Sequence, residues 1–176
     1  MPIIVALAGA AFAFYFFVIR ARNAAHMVGD LADVAADVAG AARRFGFRRR
    51  TNVHPVEAIE DENLAAGSIA VAFLELDDYP SKDLQDTLQR ELQSQLGMSI
   101  TQAEEITVLG RWFVSECGGP SPAISRLSRK LYNMAGTGGV QPVMAIIQAA
   151  LTANSKDLSE RQTDALDDIK RAFHIK

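Results

Sequence analysis

MPIIVALAGAAFAFYFFVIRAR, residues 1–22, is the stretch on which the reading of the chain turns. From Pro2 to Ile19 no side chain is charged or strongly polar, and Arg20 and Arg22 follow at once. At about 1.5 Å of rise per residue, a helix over those positions reaches roughly 27 Å, close to the ~30 Å hydrocarbon core of a bilayer. Its middle is aromatic, with Phe12, Phe14, Tyr15, Phe16 and Phe17 in one run, and Ala6, Gly9, Ala10 and Ala13 offer a small-residue face for close helix packing in lipid. We read one membrane-spanning helix. A cleaved secretory signal is the rival reading, but such a signal carries positive charge before its apolar run, and here the charge comes after. A buried hairpin of a soluble core is the third reading.

Working outward, charge sets the expected orientation. Arg20, Arg22, Arg43, Arg44, Arg48, Arg49 and Arg50 all lie on the C-terminal side of the apolar run. The excess of Arg on the cytoplasmic side of membrane helices then predicts a bacterial inner-membrane protein with residues 20–176 in the cytoplasm and the N-terminus periplasmic. The lone Cys117 forms no internal disulfide and fits a reducing compartment. Residues 1–50 hold seven Arg against Asp30, Asp33 and Asp37, a net of +4, while residues 51–176 hold eleven basic and eighteen acidic side chains, a net of −7. The basic juxtamembrane segment suits anionic lipid headgroups, and the acidic remainder argues against nucleic acid.

The expected organisation is an anchor over 1–22, a helical stalk with an Arg-rich connector over 23–52, and an all-α domain of about six helices over 53–176. In the stalk, Met27, Leu31, Val34, Val38, Ala41 and Phe45 are spaced alternately four and three apart, a heptad-type seam. Packing of Met27, Leu31, Val34 and Val38 against a partner helix is the reading we take; a helix folded back on its own domain is the alternative. In the connector, Phe45 and Phe47 interleave the Arg run. It reads equally as a lipid-headgroup site and as a solubilising linker.

Beyond the connector, Pro55 is expected to open a first helix that buries Ile69, Phe73 and Leu76. Leu84, Leu88, Leu92 and Leu96 mark a second helix that Gly97 stops. Thr101 with Glu104 reads as the capping box of a third, lined by Ile106, Leu109, Phe113 and Val114 and broken by Gly118-Gly119-Pro120. A fourth carries Ile124, Leu127 and Leu131, with Arg126, Arg129 and Lys130 outward, and ends at Gly136-Thr137-Gly138-Gly139. The fifth, from Pro142, is apolar nearly all round and is expected to be central. Ser159 with Gln162 caps the sixth, which buries Leu166, Ile169 and Phe173.

Residues 71–98 and 145–175 look alike: an apolar helix, an acidic turn, then a capped helix, with Ser-Lys-Asp-Leu at 81–84 and again at 155–158. This layout resembles the TerB-like (tellurite-resistance) helical domain over roughly residues 60–176. Leu76-Asp77-Asp78-Tyr79-Pro80-Ser81 and Ala153–Ser159 take the places of the family's acidic turns. Asp78 and Ser155 replace the family glycine, and Asn154 replaces an aspartate. The resemblance implies an all-helical bundle and, in some members, divalent-metal binding by turn acids. Asp77, Asp78 and Asp157 are the weak candidates that survive here, with no visible calcium-loop pattern. An anchor ahead of such a domain is also similar to the N-terminal part of DjlA-type membrane co-chaperones. The J domain and its His-Pro-Asp loop are missing from this sequence, since His54-Pro55 is followed by Val56.

Motifs of chemistry are sparse. His26, His54 and His174 are far apart, and one cysteine gives no zinc spacing. Gly136-Thr137-Gly138-Gly139 lacks the Gly-Lys-Ser/Thr ending of a phosphate loop. The expectation is therefore a non-enzymatic accessory or scaffold subunit of a larger integral membrane complex, in a respiratory or other energy-transducing system. No cofactor, no metal and no small-molecule substrate are expected. Contacts are expected through the stalk seam, the Arg cluster and Trp112. The alternative is a metal-responsive, tellurite- or stress-resistance-type protein binding divalent cations.

Overall fold

The computed structural model describes residues 36–48, 52–77, 80–154 and 157–175. The chain divides into two compact units, residues 1–37 and 38–176. Only 36 and 37 of the first are described, so the apolar leader with Phe12, Phe14, Tyr15, Phe16 and Phe17, the stalk residues Met27, Leu31 and Val34, and Arg20 and Arg22 lie outside the described residues. The second unit is all-helical, with no strand among the described residues. A helical segment at 36–44 leads into α1 (Glu62–Leu74), α2 (Lys82–Leu96), α3 (Ile100–Glu116), α4 (Pro120–Ala135), α5 (Val140–Asn154) and α6 (Glu160–Ala172). Short 3-10 turns occupy Pro55–Ala58 and Gly136–Gly139.

The bundle is built round α1. Every residue from Leu64 to Leu74 is buried. α1 touches α3, α4 and α5, and more lightly α2. Its composition makes this possible. Ala65, Ala66, Gly67, Ser68, Ala70 and Ala72 leave room for neighbouring helices to come close, while Leu64, Ile69 and Phe73 fill the space between them. At its start, Asp61 accepts the N–H of Leu64 at 2.8 Å, a side-chain cap, and Asn63 reaches the carbonyl of Leu96 at the end of α2 at 3.4 Å. At its end, Arg111 of α3 holds Glu75 at 2.8 Å.

Outside α1 the other helices are one-sided. α2 buries Leu88 and Leu92, with Leu84 and Leu96 half-buried, and lies along α5. Gly97 closes α2 in the left-handed region at φ 64°, as a terminal glycine should. α3 turns Ile106, Leu109, Phe113 and Val114 inward. α4 buries Ile124, Leu127 and Leu131, and α6 packs on it with Ile169 and Phe173. The Ser159–Gln162 capping box of α6 forms, with both reciprocal hydrogen bonds made.

Three expectations are corrected. The central helix is α1 and not α5: α5 buries Val143, Ile146, Ile147 and Ala150 but leaves Gln141 and Gln148 exposed. The apolar run after Pro142 suggests α5, but α1 is the more evenly apolar of the two helices, and its small residues let several neighbours approach at once. Pro55 opens only the 3-10 turn Pro55–Ala58; α1 starts separately at Glu62, behind its Asp61 cap, and Leu76 is buried in the turn beyond it. The capping box of α3 is Ser99 with Gln102, while Thr101 and Glu104 are exposed one turn into the helix. Met98 is half-buried just ahead of Ser99, which fixes the helix entry two residues earlier than the Thr101 pattern implies.

Among the described residues, one stretch, Pro120–Ala153, is long and apolar enough by composition to cross a membrane. It consists of α4 and α5 joined through the 3-10 turn, and its large apolar residues Ile124, Leu127, Leu131, Val143, Ile146 and Ile147 are spent on the core.

Candidate interaction surface

The Arg-rich connector is part of the second unit. The helical segment at 36–44 ends where Gly46 takes φ 64°. There the N–H of Phe47 donates to the carbonyl of Ala42 at 2.8 Å, and that of Gly46 to Arg43 at 3.2 Å. This paired closure is a Schellman motif, in which glycine takes the left-handed position and the next residue folds back on the helix. The first residues of the expected connector are therefore helical. The closure also turns Phe47 inward.

Phe47 is the anchor of this surface. It is 8% exposed and sits edge-on to two rings of α3, with centroids 5.6 Å from Trp112 and 5.5 Å from Phe113. Burying a phenylalanine contributes about 1.5–3 kcal/mol, and each edge-to-face pair adds roughly 0.5–1.5 kcal/mol. Beside it, Arg44 donates from Nη1 to Oε1 of Glu105. Glu105 and Trp112 are seven residues apart, two turns along one face of α3. Arg44 and Phe47 thus grip that face at both ends.

The remaining expected site residues fall into three groups. Val38 is half-buried against the bundle core, together with Ala42 and Phe45, and Ala41 is fully buried. At this end of the heptad seam Val38, Ala41 and Phe45 are used by the chain itself. Trp112, expected as a partner contact, is half-buried and engaged by Phe47 and Phe113, while Phe113 is core. Arg43 and Arg48 are exposed, with Arg43 Nε on the carbonyl of Ala39 at 3.1 Å. Asp37 is exposed. Arg49 and Arg50 lie outside the described residues.

Glu105 is the residue that sequence reasoning missed. Its Oε2 is buried and has no hydrogen-bond partner among the described residues, so there the carboxylate depends on Arg44. A signal existed: Glu105 lies four residues before Leu109, on the apolar stripe of α3, where an acid needs a cation.

The first acidic turn is held by α6. Arg161, at the start of α6, donates to the carbonyl of Leu76 in the first turn at 2.9 Å. A guanidinium already holds that oxygen. Asp77 and Asp157 are exposed, Asp78 lies outside the described residues, and among the described residues no three His, Cys, Asp or Glu side chains come together. Cys117 caps the end of α3 and is half-buried. Burial pushes its thiol above the ordinary value of 9.0; Arg126 pulls it back, and Glu116 and Glu57 add to the rise. A nucleophilic cysteine needs the opposite shift.

No protein-family model, curated protein or solved structure matches this chain.

Proposed function

We propose that this chain is a single-pass inner-membrane protein whose cytoplasmic helical domain, TerB-like in layout, serves as a non-enzymatic accessory or scaffold subunit of a larger membrane complex. The apolar run of residues 2–19, bounded by Arg20 and Arg22, is the basis for the anchor. The observation that carries the reading is the docking of the connector by Phe47 and Arg44 onto α3. A freely tethered domain needs only a soluble linker. Here the basic segment is built into the folded unit, with Arg43 and Arg48 on its surface, where each cation near an anionic bilayer is worth about 1 kcal/mol.

The test is extraction of the tagged full-length protein from native membranes. It is expected to resist carbonate washing, to retain residues 1–22, and to migrate in mild detergent with a larger assembly whose members mass spectrometry identifies. Mature protein lacking the leader, or migration only as a free monomer, overturns the proposal.

A further inference from the structure

A second feature lies away from the connector, between α4 and α6. The two helices run side by side in the same direction, since Ser125 meets Asp168 near one end and Tyr132 meets Phe173 and His174 at the other. Between them is an open groove of about 600 Å³. Ser125, Arg129, Tyr132 and Asn133 share one face of α4 along it, and Arg171 and His174 border it from the other side.

The charges in the groove are arranged and not merely exposed. Of the three cations of α4, Arg126 faces Glu57 and Lys130 donates to the Glu57 carbonyl. Arg129 is engaged by no acid among the described residues; its Nε donates to the carbonyl of Ser125 at 3.1 Å, which leaves the rest of the guanidinium fork over the groove. Asp168 is the one acid lining the groove, and both its oxygens are used, one accepting from Ser125 at 2.9 Å and the other from Arg171 at 2.7 Å. It steers Arg171. The groove is therefore cationic on a domain that is acidic overall.

His174 adds a backbone observation. It occupies the left-handed region at φ 56°, the glycine position of a Schellman closure in which Ile175 N–H donates to Lys170 and His174 N–H to Arg171. Glycine would sit there without strain, but glycine would not put an imidazole against Tyr132 at a ring distance of 5.0 Å. The same closure occupies α6 carbonyls whose partial negative charge would otherwise oppose an anion.

We propose that this groove binds a phosphate monoester, with Arg129 and Arg171 as its cationic partners and His174 on its border. Guanidinium forks match the oxygens of a phosphate, and Asn133 and Tyr132 supply further donors for its third oxygen. The volume is in the range of small-molecule sites and leaves room for the organic group of an ester beside the phosphate. That ester is a soluble metabolite or a lipid headgroup, and the experiment separates the two.

The full-length protein in neutral-detergent micelles is titrated with sn-glycerol 3-phosphate by calorimetry. In parallel, the protein reconstituted with phosphatidylcholine alone or with added phosphatidic acid is compared by protection of Tyr132 and Arg129 backbone amides from hydrogen exchange. Arg129→Gln, His174→Gly and the control Arg126→Gln are run alongside, with thermal unfolding to show that each folds. Affinity for glycerol phosphate that falls at least tenfold in R129Q, falls in H174G without loss of thermal stability, and is unchanged in R126Q supports a soluble ester. Protection that appears only with phosphatidic acid and vanishes in R129Q supports a headgroup. Absence of both signals in the unaltered protein, or signals equal in R129Q and the unaltered protein, overturns the proposal.

Discussion

Arg44 and Glu105, 61 positions apart in the chain, form an ion pair in which the carboxylate is the buried member: side-chain exposure is 61% for the arginine and 10% for the glutamate. The two partners are therefore unequal. Arg44→Met leaves a buried carboxylate with no cation, and we expect a loss of about 1–3 kcal/mol. Arg44→Met combined with Glu105→Met removes the desolvated charge as well and is expected to recover most of that loss. Thermal unfolding of the full-length protein, followed by helical circular dichroism, checks both. Equal stability of the single and double variants would show that the pair does not hold the connector.

Gly110 is where α3 crosses α1. A Cβ placed there would lie 2.9 Å from the Cβ of Val71, and one at Gly67 would lie 2.5 Å from Cγ2 of Ile106. Neither neighbour is the tip of a flexible side chain. Alanine at a helical glycine gains up to about 1 kcal/mol in propensity, but overpacking costs roughly 1–3 kcal/mol. Gly110→Ala is expected to destabilise on balance, and Gly138→Ala, where nothing lies within 4 Å, is expected to be far milder. Melting temperatures of the two variants settle the order.

The start of α3 gives a third expectation. Ser99 accepts the N–H of Gln102 at 3.3 Å, and Gln102 accepts that of Ser99 at 2.9 Å. Ser99→Ala should cost about 1 kcal/mol, while Thr101→Ala, at an exposed position inside the helix, should be neutral or slightly stabilising. The reverse order in denaturant unfolding would restore the Thr101–Glu104 cap.

Cys117 gives a dependence on pH. Burial raises its thiol above 9.0 in the folded chain, with Arg126 acting against the rise. Below 9.0 the thiol is protonated in both states and its contribution to stability is fully present; as pH climbs past 9.0 the unfolded chain releases the proton first, so stability falls. Cys117→Ser should flatten that alkaline decline. Alkylation of the native protein at neutral pH should be slower than that of an unfolded control, because the thiolate is the reacting form.

Much of this molecule is local, and local features were legible in the sequence. The six described helices beyond residue 60, the stops at Gly97 and at Gly118–Gly119, the Ser159–Gln162 box and the apolar stripes of α2, α3, α4 and α6 all follow from spacing and capping chemistry. Each involves residues within a turn or two of one another, and helical geometry alone relates them. The cap of α3 shows the limit even there. Two overlapping patterns, at Ser99 and Thr101, satisfied the same rule, and the packing of Met98 chose between them.

The sequence by itself determined that the chain beyond residue 60 is built from helices, and nearly where each described one ends. Tertiary structure alone decided which arginine meets Glu105, that Phe47 belongs with Trp112 and Phe113, and that Arg129, Arg171 and His174 border one groove. Those relations join residues tens of positions apart. They depend on how closely two helices can approach, and that is set by side-chain volume at the crossing, as at Gly110 and Val71, which no pattern along a single helix records.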